Sequence, residues 1–201
     1  MHGRICAQCC GEQREVTLDC PSECPYLQQA RQHEKPRELA EMPADEVFPR
    51  INVPEQFLRD QEQLIGGLLQ GLGKLSASDH NLKDRDVIRA LANMAQSYQT
   101  LVASGLVYAE ATPNPVQQTI IETFRRLLQE FREVEHRHLG YTALKDSDIL
   151  KALVFIVRLA QLHTSGRPLS RGFLDFLRER FPATDGALNS AEEAGSRILL
   201  P

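Results

Sequence analysis

Five cysteines stand close together near the start of the chain, as Cys6, Cys9, Cys10, Cys20 and Cys24 in ICAQCCGEQREVTLDCPSEC. Cys6, Cys9, Cys20 and Cys24 read C-x2-C-x10-C-x3-C, two close thiol pairs separated by a short excursion. Zinc takes four thiolate or imidazole ligands in a tetrahedron, and two close pairs supply them at small loop-closure cost. Four cysteines also close the coordination shell, so the metal expected here is one structural Zn2+ per chain. Cys10 is left over. Because the first pair ends in Cys9-Cys10-Gly11, Cys10 is the alternative to Cys9 as second ligand, and His2 and His33 are weaker substitutes.

The elements that would position these thiols follow from the residues between them. Arg14-Glu15-Val16-Thr17-Leu18-Asp19 alternates polar and apolar residues, which predicts a short half-buried strand and hence a hairpin. Pro21, Ser22 and Glu23 then open a predicted helix with Tyr26, Leu27 and Ala30 on one side and Cys24 in its first turn. A knuckle, a hairpin and a helix bearing the last ligand resemble the treble-clef or zinc-ribbon class of zinc modules. The resemblance covers residues 6–24 and the helix that follows, and departs from the commonest form in having C-x3-C as its second pair. It implies a binding or folding role for the metal.

Other stretches bear chemistry-capable residues without completing a site. Residues 130–138 read EFREVEHRH, and Glu133 with His136, or Glu135 with His138, has a spacing that ligates iron or manganese in helical bundles. Such a site needs a second helix of the same kind, which the sequence lacks, so a solvated helix end is expected. Cys10 beside Arg14 has no base or resolving thiol next to it, so a spare thiol is expected over a nucleophile. Gly66, Gly67, Gly71 and Gly73 are no phosphate loop, since no strand precedes them and no Lys-Ser or Lys-Thr follows; close helix contact is their expected role. His80 and His163 are expected as surface or satisfied core residues.

Beyond the cysteines, residues 34–54 hold four prolines and many charges without a period, which reads as a linker that Val47, Phe48 and Ile51 could anchor. From Pro54 onward the pattern is helical. Apolar stripes run from Phe57 to Leu75, Val87 to Val102, Val116 to Val134, Ile149 to Leu162 and Phe173 to Phe181, with Asn114-Pro115 and Ser170 as helix starts. Residues 82–91, LKDRDVIRAL, resemble residues 144–153, LKDSDILKAL, so two related αα-hairpins are an open reading. The fold expected is mainly α, a small zinc module of knuckle, β-hairpin and helix joined to a bundle of about five helices. Its parts are a zinc-binding module at 1–37, a linker at 38–53, the bundle at 54–182 and a C-terminal tail at 183–201.

Length and charge narrow the function classes. With 201 residues and 42% hydrophobic content, the chain can bury a medium-sized core. The 23 basic and 27 acidic residues give a net charge of −4, and residues 1–37 carry as many acids as bases, which disfavours nucleic acid. Its longest apolar run, Leu153 to Val157, is too short for a membrane span, and the first ten residues lack a signal-type apolar region. The expectation is a cytoplasmic, non-enzymatic adaptor or regulator that binds another protein. A zinc-module regulator of nucleic acid or ribosome, using Arg4, Arg14, Arg31, Lys35 and Arg37, is the alternative, and an enzyme using Cys10 or the Glu133/His136 region is the third reading.

Overall fold

The computed structural model describes residues 5–34, 38, 40, 42–107 and 114–181; His2, the tail at 183–201 and parts of the linker fall outside them. In chain order the helices are α1 (Ala7–Gln13), α2 (Pro25–His33), α3 (Ala44–Val47), α4 (Glu55–Asp60), α5 (Glu62–Ser78), α6 (Asp84–Ser104), α7 (Pro115–Leu139), α8 (Asp146–His163) and α9 (Gly172–Arg180). The apolar stripes become the buried faces of α4 to α9, as a helical bundle requires. The first stripe is divided, because Gln61 leaves helical geometry between α4 and α5. Among the described residues there is no strand and no helix long and apolar enough to cross a membrane.

The predicted hairpin at Arg14–Asp19 is not formed among the described residues. In its place α1 winds through Cys9, Cys10 and Gly11, and Arg14 and Leu18 close a single β-bridge around a tight turn. The alternation is inverted: Glu15 is buried and Val16 is exposed. Glu15 sits at φ 55, a left-handed conformation costing a non-glycine residue ~1–2 kcal/mol. Its amide donates to the Leu18 carbonyl at 3.0 Å and its own carbonyl accepts from the Leu169 amide at 2.8 Å, so long-range contacts hold the turn against local preference.

At the centre lie α6 and α8, the two helices that begin with the related LKD segments. They run antiparallel: Tyr98, late in α6, lies in the field of Asp146 at the start of α8, while Arg85 and Ile88 share a cavity with Gln161 and Thr164. Ile149, Leu153, Ile156 and Val157 of α8 are fully buried, and truncating one such residue typically costs ~2–5 kcal/mol. The two related segments thus open the two core helices, not the second arms of two αα-hairpins: among the described residues α5 does not pack along α6 nor α7 along α8, and α7 packs instead on α6 and α5. The side chain of Asn114 caps α7, accepting from the Val116 amide at 2.9 Å, and its Nδ2 donates to Asp86 at 3.5 Å. Thus α7 starts beside the start of α6 and the two run parallel, with Met94 and Tyr98 facing Ile121 and Arg125 further along.

Helix α9 packs on the second half of α5, with Arg171 beside Ser76 and Phe181 beside Gly73. Gly71 is where the expected close contact occurs, since a methyl group there would collide with Leu127 of α7, whereas Gly66 and Gly67 face open space. The linker is anchored as expected. Val47 and Phe48 are buried, and the Arg158 guanidinium donates to the carbonyls of Val47, Phe48 and Ile51 at 2.7–2.8 Å.

Candidate metal centre

Cys6 and Cys24 occupy equivalent places. Each is the extended residue immediately before a helix, Cys6 before α1 and Cys24 before α2. Their opposite ends are tied by the Arg14–Glu34 ion pair at 3.7 Å, and Arg31 near the end of α2 meets Glu15 just past α1 at 2.9 Å. The two cysteine-bearing ends therefore lie on the same side of the pair. Ile5, Ala7, Cys10, Arg14, Tyr26 and His33 line the groove of about 390 Å³ between the helices.

Within the first pair the Cys9 amide donates to Cys6 Sγ at 3.3 Å, and the Cys10 amide donates to the Cys6 carbonyl at 2.9 Å. An N–H aimed at sulfur favours the thiolate. Hydrogen bonding from the Cys9 thiol first, and from its amide second, holds the Cys6 thiol below its ordinary value, while the same contact pushes the Cys9 thiol up. Cys10 faces the α1–α2 groove, with Cys6 and Cys9 exposed. Half-buried Cys20 lines a separate hollow with Asp19, Ser22, Glu23 and His80. No disulfide joins any of the five. By donor type the set suits zinc, and Cys6 and Cys9 are paired, but among the described residues no three Cys, His, Asp or Glu side chains converge as a ligand group.

How this segment sits on the bundle was hidden in the sequence. Arg31 donates to Asp175 of α9 at 2.7 Å and to Glu15 at 2.9 Å. Glu15, only 2% exposed, also accepts from Ser165 Oγ at 2.8 Å, and Asp175 accepts from Ser22 Oγ at 2.6 Å. Lys83 Nζ, preceding α6, holds both carboxylate oxygens of Asp19 at 2.6 and 2.7 Å, and Arg167 donates to the carbonyls of Gly11 and Arg14. The contacts lie as far as 156 positions apart along the chain, beyond any periodicity or motif. The seat is polar: no described residue before Phe48 belongs to the main apolar core.

The remaining candidates are placed in other roles. Glu133 accepts from Gln129, Glu135 accepts the amides of Ala143 and Leu144 at 3.1 and 2.9 Å, and His136 and His138 are exposed at the end of α7. His80 contributes its carbonyl to Arg171, and His163 stacks on Phe176 with ring centroids 3.9 Å apart. Asp84 and Asp146 fall one residue inside their helices. Asp146 pairs with Arg132 at 2.7 Å, while Asp84, fully buried, caps α9 by accepting from the amides of Phe173 and Leu174 at 3.2 Å and from Ser170 Oγ at 2.8 Å. Burial pushes the Asp84 carboxyl up, against these lowering hydrogen bonds. No family model, no curated protein and no solved structure matches the chain.

Proposed function

We propose that the chain is a cytoplasmic, non-enzymatic adaptor or regulator that binds another protein, with residues 1–37 forming a zinc-binding module beside the helical bundle. Cys6, Cys9, Cys20 and Cys24 hold one structural Zn2+ in this reading, with Cys10 the alternative to Cys9. The metal would supply a fixed crosslink between the two cysteine pairs and no reactive position. What supports the thiols as its ligands is their pairing, the hydrogen bond from the Cys9 amide to Cys6 Sγ, and the placement of Cys6 and Cys24 at the same end of α1 and α2. The module does not join the bundle through the core, so the metal acts on the outer segment while Glu15, Arg31 and Asp175 carry its orientation to α9.

The observation that carries protein binding is the apolar groove between α1 and α2, where Tyr26 is 70% exposed and Ile5 is 48% exposed. An exposed tyrosine at the mouth of an apolar groove offers a partner an aromatic anchor to bury. Arg14 and Arg31, which a nucleic-acid face would require, are engaged by Glu34, Glu15 and Asp175. The test is affinity capture from the native cell with the wild-type chain and with Tyr26→Ala, each with and without nuclease, alongside elemental analysis of the purified protein. The reading expects nuclease-resistant partners lost with Tyr26→Ala, and one zinc per chain. Partners that vanish with nuclease and persist with Tyr26→Ala would replace it by the nucleic-acid alternative.

A further inference from the structure

We infer a second binding site, for a phosphoryl dianion, in the hollow of about 280 Å³ where α3, the first turns of α6, the end of α8 and the loop 164–168 meet. Three guanidinium-bearing residues line it: Arg85 and Arg89 from α6, and Arg167 from the loop. Arg85 and Arg89 are four residues apart on one helix face, where like charges repel by a few tenths of a kcal/mol. Arg85 also stands in the first turn, at the positive end of the helix dipole, where a cation is disfavoured. Among the described residues neither makes an ion pair, in contrast to Arg31 and Arg132, which hold carboxylates at 2.7 Å.

Among the described residues the one carboxylate lining the hollow belongs to Glu46, which accepts from Gln161 Nε2. Arg167 is anchored from behind, because its Nη1 donates to the Arg14 carbonyl at 2.7 Å and to the Gly11 carbonyl at 3.2 Å, leaving further donors on the same planar group. Thr164 lies in the same wall, and Pro43, Ile88 and Pro168 supply apolar sides. Three positive residues against one negative among the described residues, in a volume that admits a small molecule, match a group carrying a charge of about −1.5 to −2 and three acceptor oxygens. The ligand class is inorganic phosphate or a small phosphomonoester. A single carboxylate would leave most of the charge uncompensated.

Nitrogen-15 NMR of the full chain tests this, with inorganic phosphate and O-phosphoserine titrated separately against chloride at matched ionic strength, and serine as control. The site predicts saturable shifts at Arg85, Arg89 and residues 164–167, with each of Arg85→Gln and Arg89→Gln weakening binding by about tenfold, the loss of a charge-assisted hydrogen bond. Arg126→Gln, on exposed α7 surface, should leave the affinity unchanged. Saturation by inorganic phosphate identifies the free ion as sufficient; saturation by O-phosphoserine alone identifies the monoester. Shifts reproduced by chloride, or undiminished in both arginine variants, overturn the site, as does binding of an RNA oligonucleotide without a response to either small ligand.

Discussion

Replacing Arg31 with methionine keeps much of the apolar stem and removes the charge that joins α2 to α9. Glu15 then remains without a cation and Asp175 keeps only the longer contact to Arg178 at 3.8 Å; the two side chains are 2% and 10% exposed. Removing one partner from a buried pair costs ~3–5 kcal/mol, and the lower end applies because Arg31 is itself 24% exposed and Ser165 and Ser22 keep one hydrogen bond on each carboxylate. The loss falls on the seat of the cysteine segment, since none of its described residues belongs to the main core. Native-state hydrogen exchange reads it locally: about 3 kcal/mol corresponds to roughly a hundredfold faster exchange at the α2 amides, while α6 and α8 keep their protection. Adding Glu15→Gln and Asp175→Asn to Arg31→Met should recover most of the loss, because no buried charge is then unpaired. Unchanged α2 exchange in Arg31→Met would refute the reasoning, and show that the segment is held by something other than these ions.

Deleting residues 1–37 should leave a cooperative thermal transition by circular dichroism, because the core from Phe48 to Leu177 is intact without them; a broad, non-cooperative melt counts against a separable module. Cys20→Ser or Cys24→Ser should release zinc and abolish exchange protection at Leu27, whereas Cys10→Ser should do neither, as a metallochromic dye and hydrogen exchange can check. Burial holds the His163 imidazole below its ordinary 6.5. The unfolded chain therefore takes up the proton first, and stability is lost as pH falls below 6.5 toward the folded value. Denaturant midpoints across that window should fall less in His163→Phe, which retains a ring against Phe176. Gly172→Ala should lower stability by about 1–3 kcal/mol, because its methyl group would meet the backbone carbonyl of His163, while Gly67→Ala, facing open space, should be neutral or stabilising.

Where an element buries a continuous apolar face its sequence displayed it, which is why α6 to α9 lie where the stripes placed them and Asn114 caps as expected. Helix α1 buries no residue at all, so no stripe existed to announce it, and its Cys-Cys-Gly core reads locally as a knuckle. The strand expected at Arg14–Asp19 had the right alternation but the wrong inward face, because burial of Glu15 is decided by Arg31 and Ser165 rather than by hydrophobicity. The parallel course of α6 and α7 was equally silent, since parallel and antiparallel neighbours expose the same helical period. Of the candidate site, the thiol pairs were legible through spacing. Their seat was not, because an ion pair between distant residues leaves no periodic trace.

Asp84 has a consequence for the order in which the chain becomes whole. It is synthesised 89 residues before the Phe173 amide it will cap. Until Ser170, Phe173 and Leu174 have emerged, the growing protein holds a carboxylate at the edge of its forming core without those donors. Helix α9 has nine residues, too few to persist alone in water, and it forms where that carboxylate already waits. Closure of the bundle is thereby tied to the arrival of its last helix: a chain halted before residue 170 keeps that carboxylate without the three donors that offset its burial.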